Sequence, residues 1–153
     1  MTSINTWGPS VWNLFHCMSI KLHEEQFNQS KFIAIEIIKK ICYNLPCPTC
    51  REDAIKIVKN LQPEKFKTKQ NLINFIFNFH NHVNKNLGKP DYDFKDIDKY
   101  NDYNLLNCID TFLIVFKKNY RNQNLMLASF NKNNMLKNIT NDFKLLIKLS
   151  KLN

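Results

Sequence analysis

Two glycines in 153 residues, Gly8 and Gly88, exclude more folds than any other feature of this chain. A glycine-rich phosphate loop feeding a parallel sheet needs several of them for its tight turn and close backbone approach. A hairpin-rich β protein needs them wherever a turn demands positive φ. What remains is a helical protein, and apolar residues do recur at helical spacing. A first helix is expected from about Ser10 to Glu25, with Trp12, Phe15, His16, Ser19 and Ile20 on related faces. A second is expected from about Ser30, a natural N-cap, to Tyr43, with Phe32, Ile35, Ile38 and Ile41 as its stripe. Pro46 and Pro48 break the pattern, and a third helix opens near Cys47, runs to about Leu61 and is ended by Pro63. The fourth, about Lys69 to Leu87, aligns Leu72, Ile76, Phe79, Val83 and Leu87; Gly88 suits its C-cap and Pro90 stops it.

An acidic, tyrosine-containing loop follows, Asp91 to Tyr103, and then a fifth helix from about Leu105 to Lys118. Residues 122–151 repeat the helical pattern through Leu125, Leu127, Phe130, Met135, Leu136, Ile139, Phe143, Leu146, Ile147 and Leu149, and the Asn-Lys-Asn-Asn run at 131–134 suggests a break into two shorter helices. The expected class is all-α, with a four-helix bundle over residues 8–88 as the core.

Apolar residues at 44% and aromatics at 12% fit a folded domain of this length. No stretch approaches the roughly 20 apolar residues that span a bilayer, and Thr2, Ser3 and Asn5 open the chain where a signal peptide would be apolar. A soluble protein on the cytoplasmic side of membranes is therefore expected. The net charge of +9 is uneven: residues 104–153 hold eight basic side chains against Asp110 and Asp142, a net of +6, leaving +3 for residues 1–103. Such a tail could meet nucleic acid or an acidic partner, but its lysines sit among Leu, Ile and Phe, as on the solvated face of an amphipathic helix. Arginine and glycine enrichment is absent, which argues against nucleic acid.

Five cysteines without a secretory signal make a poor disulfide framework. Cys17, Cys42 and Cys108 read as small buried hydrophobes. Cys47 and Cys50 differ, because Cys47-Pro48-Thr49-Cys50 follows Leu45-Pro46 and opens a helix. Backbone N–H groups and the macrodipole favour a thiolate there. Two cysteines at i and i+3 in a first turn can form a readily exchanged disulfide. Half of a zinc site is an alternative, although no second C-x-x-C or histidine pair completes it, so no metal site is expected.

Two further segments carry possible chemistry. In Phe79-His80-Asn81-His82-Val83-Asn84-Lys85-Asn86-Leu87-Gly88-Lys89-Pro90, His80 and Asn84 share a helical face with Val83 and Leu87. They are either satisfied core polar groups or the binding face for a planar, hydrogen-bonding ligand, with Lys89 near a phosphate. In Trp7-Gly8-Pro9-Ser10-Val11-Trp12-Asn13-Leu14-Phe15-His16, Trp12 and His16 lie four apart and stack along one face, which for either residue taken singly suits an aromatic core stripe better than a site.

Taken together and in order, the segments at 7–16, 45–54 and 79–90 resemble the Erv/ALR family of FAD-linked sulfhydryl oxidases, and most of all the short forms of large cytoplasmic DNA viruses. The resemblance frames roughly residues 7–100. It implies a four-helix bundle holding FAD at its mouth, a further short helix and a homodimer. Carried over by position, Cys50 is the flavin-proximal thiol and Cys47 exchanges with substrate. Gly8, Trp12, His16, His80, Asn81, Val83, Asn84 and Lys89 match cofactor-binding positions. The implied activity takes electrons from a protein dithiol, brought by the substrate itself or by a small dithiol carrier, and gives them to molecular oxygen as hydrogen peroxide. Kinship with viral forms implies action in host cytoplasm or the virion.

The departures are specific. Phe77 and Phe94 stand where many members carry a structural disulfide, Lys21 replaces an aromatic after His16, the usual loop tryptophan is absent with Tyr100 and Tyr103 nearby, and no second C-x-x-C supplies a shuttle arm. The expected organisation is an FAD-binding domain over 1–103 and a helical extension over 104–153, packed on the core or at a dimer interface. The competing reading is a non-enzymatic helical interaction module with a basic tail.

Overall fold

A computed structural model describes residues 4–119 and 126–152, with side-chain detail over 6–118 and 131–152. Thr2, Ser3 and Leu125 lie outside the described residues, as do the side chains of Asn5, Leu127 and Phe130. The described chain is all-α. Its helices are α1 (Ile4–Lys21), α2 (Phe27–Cys42), α3 (Pro48–Val58), α4 (Lys69–Asn86), α5 (Leu105–Asn119) and α6 (Met126–Lys148), with 3-10 turns at Glu24–Gln26, Pro63–Lys65 and Phe94–Asp102. Among the described residues the sole extended pairing is an isolated bridge between Leu22 and Ser150.

Helix α1 is the organising element. It packs against α4 on one side and α5 on another, while α2 packs against α3 and α6. One continuous core joins all six helices: Leu14, Phe15 and Met18 of α1, Ile37, Ile38 and Ile41 of α2, Val58 of α3, Leu72 and Ile76 of α4, Phe112 and Phe116 of α5, and Ile139 and Leu146 of α6 are essentially inaccessible. The chain after residue 103 therefore shares the hydrophobic burial that holds the first four helices together. The Phe112 and Phe143 rings meet edge to face at 6.1 Å, Lys40 of α2 pairs with Asp142 of α6, and Lys151 N–H donates to the Lys21 carbonyl at 2.7 Å.

Three elements differ from the sequence expectation. Helix α1 begins at Ile4, so Pro9 lies inside it and Trp7 and Gly8 are helical residues. Pro9 forfeits one backbone bond but is solvent-exposed, and Ser10 Oγ donates to the Trp7 carbonyl at 2.7 Å. Helix α2 begins at Phe27, so Ser30, instead of an N-cap, is a fully buried first-turn residue whose Oγ has no hydrogen-bond partner among the described residues. Helix α6 runs unbroken through Asn131–Asn134, because Met135, Leu136 and Ile139 are buried and packing on α2 outweighs the poor helix propensity of asparagine.

Helix α4 has both ends fixed by local chemistry. Thr68 and Asn71 form a reciprocal capping box. At the other end Gly88 takes φ +69°, Lys89 N–H reaches the Asn84 carbonyl at 2.8 Å and Gly88 N–H reaches that of Lys85 at 3.1 Å. This Schellman pattern turns the chain back on the helix and sets Lys89 beside Asn84. Lysines also satisfy carbonyls where helices and turns end: Lys69 Nζ donates to Ile20 and Leu22, Lys21 Nζ to Asn101, Lys31 Nζ to Phe66 and Lys39 Nζ to Leu61. Part of the basic excess thus holds helix ends.

If α5 and α6 belong to the same cooperative core, Phe112→Ala should lower the unfolding free energy of the whole molecule by about 3–5 kcal/mol, the usual cost of emptying a fully buried aromatic site. In a urea titration followed by helical circular dichroism the midpoint should fall in one transition. A separate early transition, with the main midpoint unmoved, would contradict a shared core.

Candidate active site

Cys47 is the N-cap of α3 and Pro48 occupies its first helical position, where a missing N–H costs nothing. The extended backbone of Cys47 (φ −93°, ψ 118°) brings its sulfur over the first turn, where Cys50 N–H donates to it at 3.3 Å. The Cys50 thiol lies 2.6 Å from the same sulfur, and Thr49 Oγ1 is 3.2 Å away. Partial burial works against a Cys47 thiolate, but these hydrogen bonds outweigh it and draw the thiol below its ordinary range. Cys50 is pushed up to about 11 by burial and by its neighbour Cys47. Arg51 braces the approach to the helix by donating Nη1 to the Leu45 carbonyl at 3.2 Å.

Behind the pair opens an apolar cavity of about 210 Å³, walled by Trp7, Val11, Trp12 and Phe15 of α1, Phe79 and Val83 of α4, and Cys50 and Ala54 of α3. Cys50, and not Cys47, lines it. A second, more polar cavity of about 320 Å³ is walled by Asn13, His80, Asn84, Lys89, Tyr92, Lys99 and Tyr100. Gly8, Trp12 and Leu87 line both, so the two spaces adjoin along α1 and the end of α4.

The wall between α1 and α4 is aromatic. Trp12 and His80 stack nearly parallel, centroids 4.2 Å apart and planes 7° from coplanar. His16 Nε2 and His80 Nδ1 hydrogen-bond at 2.9 Å, so one ring donates and the other accepts. Tyr100 stacks on His16 at 4.9 Å and Tyr92 on His80 at 4.9 Å. Burial, the neighbouring His80 and Lys99 push His16 down to about 3; burial with Lys89 and Lys99 pushes His80 down to about 4. Both imidazoles are thus neutral near pH 7. Lys99 Nζ sits 5.5 Å from the Tyr92 ring centre and 5.1 Å from that of Tyr100, so two ammonium groups, Lys89 and Lys99, serve the polar cavity.

Of the residues singled out in the sequence, Gly8, Trp12, Cys50, His80, Val83, Asn84 and Lys89 line one cavity or both. His16 stands behind His80, 1% exposed, and lines neither. Asn81 also lines neither: it clamps the returning chain, accepting from Tyr92 N–H at 2.6 Å and donating to its carbonyl at 3.1 Å. Phe77 and Phe94 meet edge to face at 5.0 Å, an apolar contact between α4 and the following loop. Trp7, Tyr92 and Lys99 were not singled out, although they shape the cavities. Their segments read as a helix entrance and an acidic loop, and nothing local marks a residue that tertiary packing carries to a cavity wall. Among the described residues no cluster of three or more His, Cys, Asp or Glu is placed to hold a metal.

The paired cavities fit a dinucleotide flavin. An apolar, aromatic-walled space ending on a thiol suits a tricyclic ring system, and the adjoining space with two lysines and stackable rings suits a pyrophosphate and a purine. Trp7 adds an independent sign: it lines the apolar cavity, and its buried indole N–H has no partner among the described residues.

In reduced protein at pH 7.5, iodoacetamide should modify Cys47 well before Cys50, since the thiolate is the nucleophile and Cys47 is the pair's more acidic member. Peptide mapping after brief treatment reads the order, and faster labelling of Cys50 would contradict this account of the pair.

Comparisons with known proteins converge on one family. The family model described as Erv1/Alr matches residues 9–103. Protein 347L of Invertebrate iridescent virus 6 is 33% identical over 100 residues, covering 59% of this chain and 88% of that protein. The FAD-linked sulfhydryl oxidase of African swine fever virus (isolate Tick/Malawi/Lil 20-1/1983) is 30% identical over 105 residues, covering 68% of this chain and 87% of its own. The mitochondrial FAD-linked sulfhydryl oxidase ERV1 of Saccharomyces cerevisiae is 27% identical over 86 residues, 56% of this chain and 45% of the yeast protein. No solved structure gives a significant match. With a C-x-x-C pair at a helix start, a cavity behind its second cysteine and a family model spanning 9–103, the chain belongs to the Erv1/Alr family.

Proposed function

We propose that this chain is an FAD-dependent thiol oxidase that makes disulfides in protein dithiols and passes the electrons to oxygen. One observation carries the reading: Cys50 lines the apolar cavity while its partner Cys47 lies outside it, so the two sulfurs face different reactants. Family membership supports it, as do the names of the African swine fever virus and yeast relatives.

The residues divide the work as follows. A substrate thiolate attacks Cys47 Sγ, the Cys47–Cys50 bond breaks and Cys50 leaves as a thiolate facing the cavity. The substrate's second thiolate then attacks its own sulfur in the mixed disulfide and expels Cys47, completing the substrate disulfide. Cys50 N–H and Thr49 stabilise charge on Cys47 as it departs. Bound FAD would supply a two-electron acceptor for the reduced pair, whose Cys47–Cys50 bond re-forms as the electrons leave through Cys50, and a route to oxygen, which becomes hydrogen peroxide. Trp12, Phe79 and Val83 would exclude water from that end, and Lys89, Lys99 and the neutral His80 would hold the charged and purine ends.

The reading extends to a homodimer, which the family resemblance implies, and to disulfide formation in host cytoplasm or the virion, which the viral source of the relatives supports. Residues 104–153 act in it as a brace on the core.

Cys50→Ser should keep FAD bound, because one wall atom changes and the lysines and rings remain, yet lose oxygen consumption with a dithiol substrate by at least about a thousandfold. Near-normal oxygen uptake by that variant would overturn the role given to Cys50. Loss of the flavin along with activity would assign Cys50 to binding instead.

A further inference from the structure

Cys17 and Cys108, 91 positions apart, are used by neither the exchange reaction nor the cofactor cavities, yet they meet. Cys17 lies on α1 and Cys108 on α5, two helices that pack against each other, and the two thiols are near enough to shift each other's acidity. Cys17 is wholly inaccessible, whereas Cys108 is 8% exposed and lines its own cavity of about 280 Å³, together with Ser10, Asn13, Tyr103 and Thr111. Lys21 lies one turn beyond Cys17 on α1, with its ammonium donating to the Asn101 carbonyl at 2.6 Å. The neighbouring Cys17 thiol and the charge of Lys21 draw Cys108 below the ordinary thiol range, while the Cys108 thiol, with burial, pushes Cys17 up. A wholly buried thiol beside one that faces a small opening, on two packed helices, is the arrangement of a peroxide-reactive cysteine with its resolving partner.

We propose that Cys17 and Cys108 form a second redox site, which hydrogen peroxide closes into a disulfide pinning α5 to α1. The Cys108 thiolate attacks one peroxide oxygen, the O–O bond breaks, hydroxide leaves and Cys108 becomes a sulfenic acid. The Cys17 thiol then attacks that sulfur; the S–S bond forms, the S–O bond breaks and water departs. Two thiols lose two electrons, and one peroxide becomes two waters. Peroxide is small enough to enter a space of this size, whereas a protein dithiol is not. The proposed oxidase reaction would supply peroxide beside the site; only this source rests on that reading, and the chemistry of the pair does not. Because α5 and α1 pack along their lengths, the bond would fasten residues 104–153 to the family core.

The test adds hydrogen peroxide directly, so its outcome is independent of the oxidase reading. The full chain carrying Cys47→Ser and Cys50→Ser is reduced, freed of reductant under nitrogen and treated with a small molar excess of hydrogen peroxide. It is then denatured, alkylated and mapped by mass spectrometry. The expected result is a linked Cys17–Cys108 peptide, a loss of two hydrogens from the intact mass and a Tm raised by roughly 10 °C, as closing so long a loop implies. Cys108→Ala in the same background should abolish both the link and the shift. Recovery of both cysteines alkylated after peroxide treatment would overturn the proposal, and so would Cys108 over-oxidised beside a free Cys17. The peptide map of the parent protein decides the question even if the alanine variant fails to fold.

Discussion

Two imidazoles buried between helices have to find partners, and the solution adopted by His16 and His80 fixes most of what surrounds them. Each ring satisfies the other through a 2.9 Å hydrogen bond, which requires the accepting ring to be neutral, as burial keeps both, and α1 to meet α4 in one register. A one-residue slip of either helix would turn a nitrogen toward hydrocarbon. With that register set, Trp12 lies flat on His80, and the same rings become the partition between an apolar space and a polar one. The remaining helices pack outward from this pair: α5 on the far side of α1, and α2 with α3 closing the apolar end so that Cys50 faces inward.

The charge distribution follows a similar logic. A chain with net charge +9 reads first as something that meets an anion. In the structure several of its lysines instead donate to carbonyls at the ends of helices and turns, Lys69 bridging two at the end of α1 and Lys21 holding the loop that carries Tyr100. Helix ends expose carbonyls that the helix cannot satisfy, and a long flexible ammonium can reach them where a short side chain cannot. Lys89 and Lys99 are placed differently, at the mouth of the polar cavity, and they are the cations available to a phosphate.

Features set by local chemistry were legible in the sequence. The C-x-x-C at a proline-marked helix start, and the Gly88 cap that returns Lys89 to Asn84, are each written within a few residues and came out in place. Features set by tertiary contact were not. The asparagine run at 131–134 looked like a break, but burial of Met135, Leu136 and Ile139 against α2 kept α6 continuous. Lys99 reaches a cavity wall only because a 3-10 segment folds back over α1, and a loop rich in aspartate gives no sign of it. Cys17 and Cys108 each read as small apolar residues, and no local pattern could reveal that they touch. The start of α1 was hidden in the same way: Pro9, at an exposed position inside the helix, costs one bond that the packing of Trp7 outweighs.

The central claim is that the two adjoining cavities hold a flavin whose electrons arrive through Cys50. Its most direct test is the visible absorption spectrum of the purified protein, recorded before and after dithiothreitol under nitrogen and again on admitting air. The account predicts a flavin spectrum that bleaches with the reductant and returns with oxygen. A colourless protein that takes up no FAD when offered it would contradict the account at its centre.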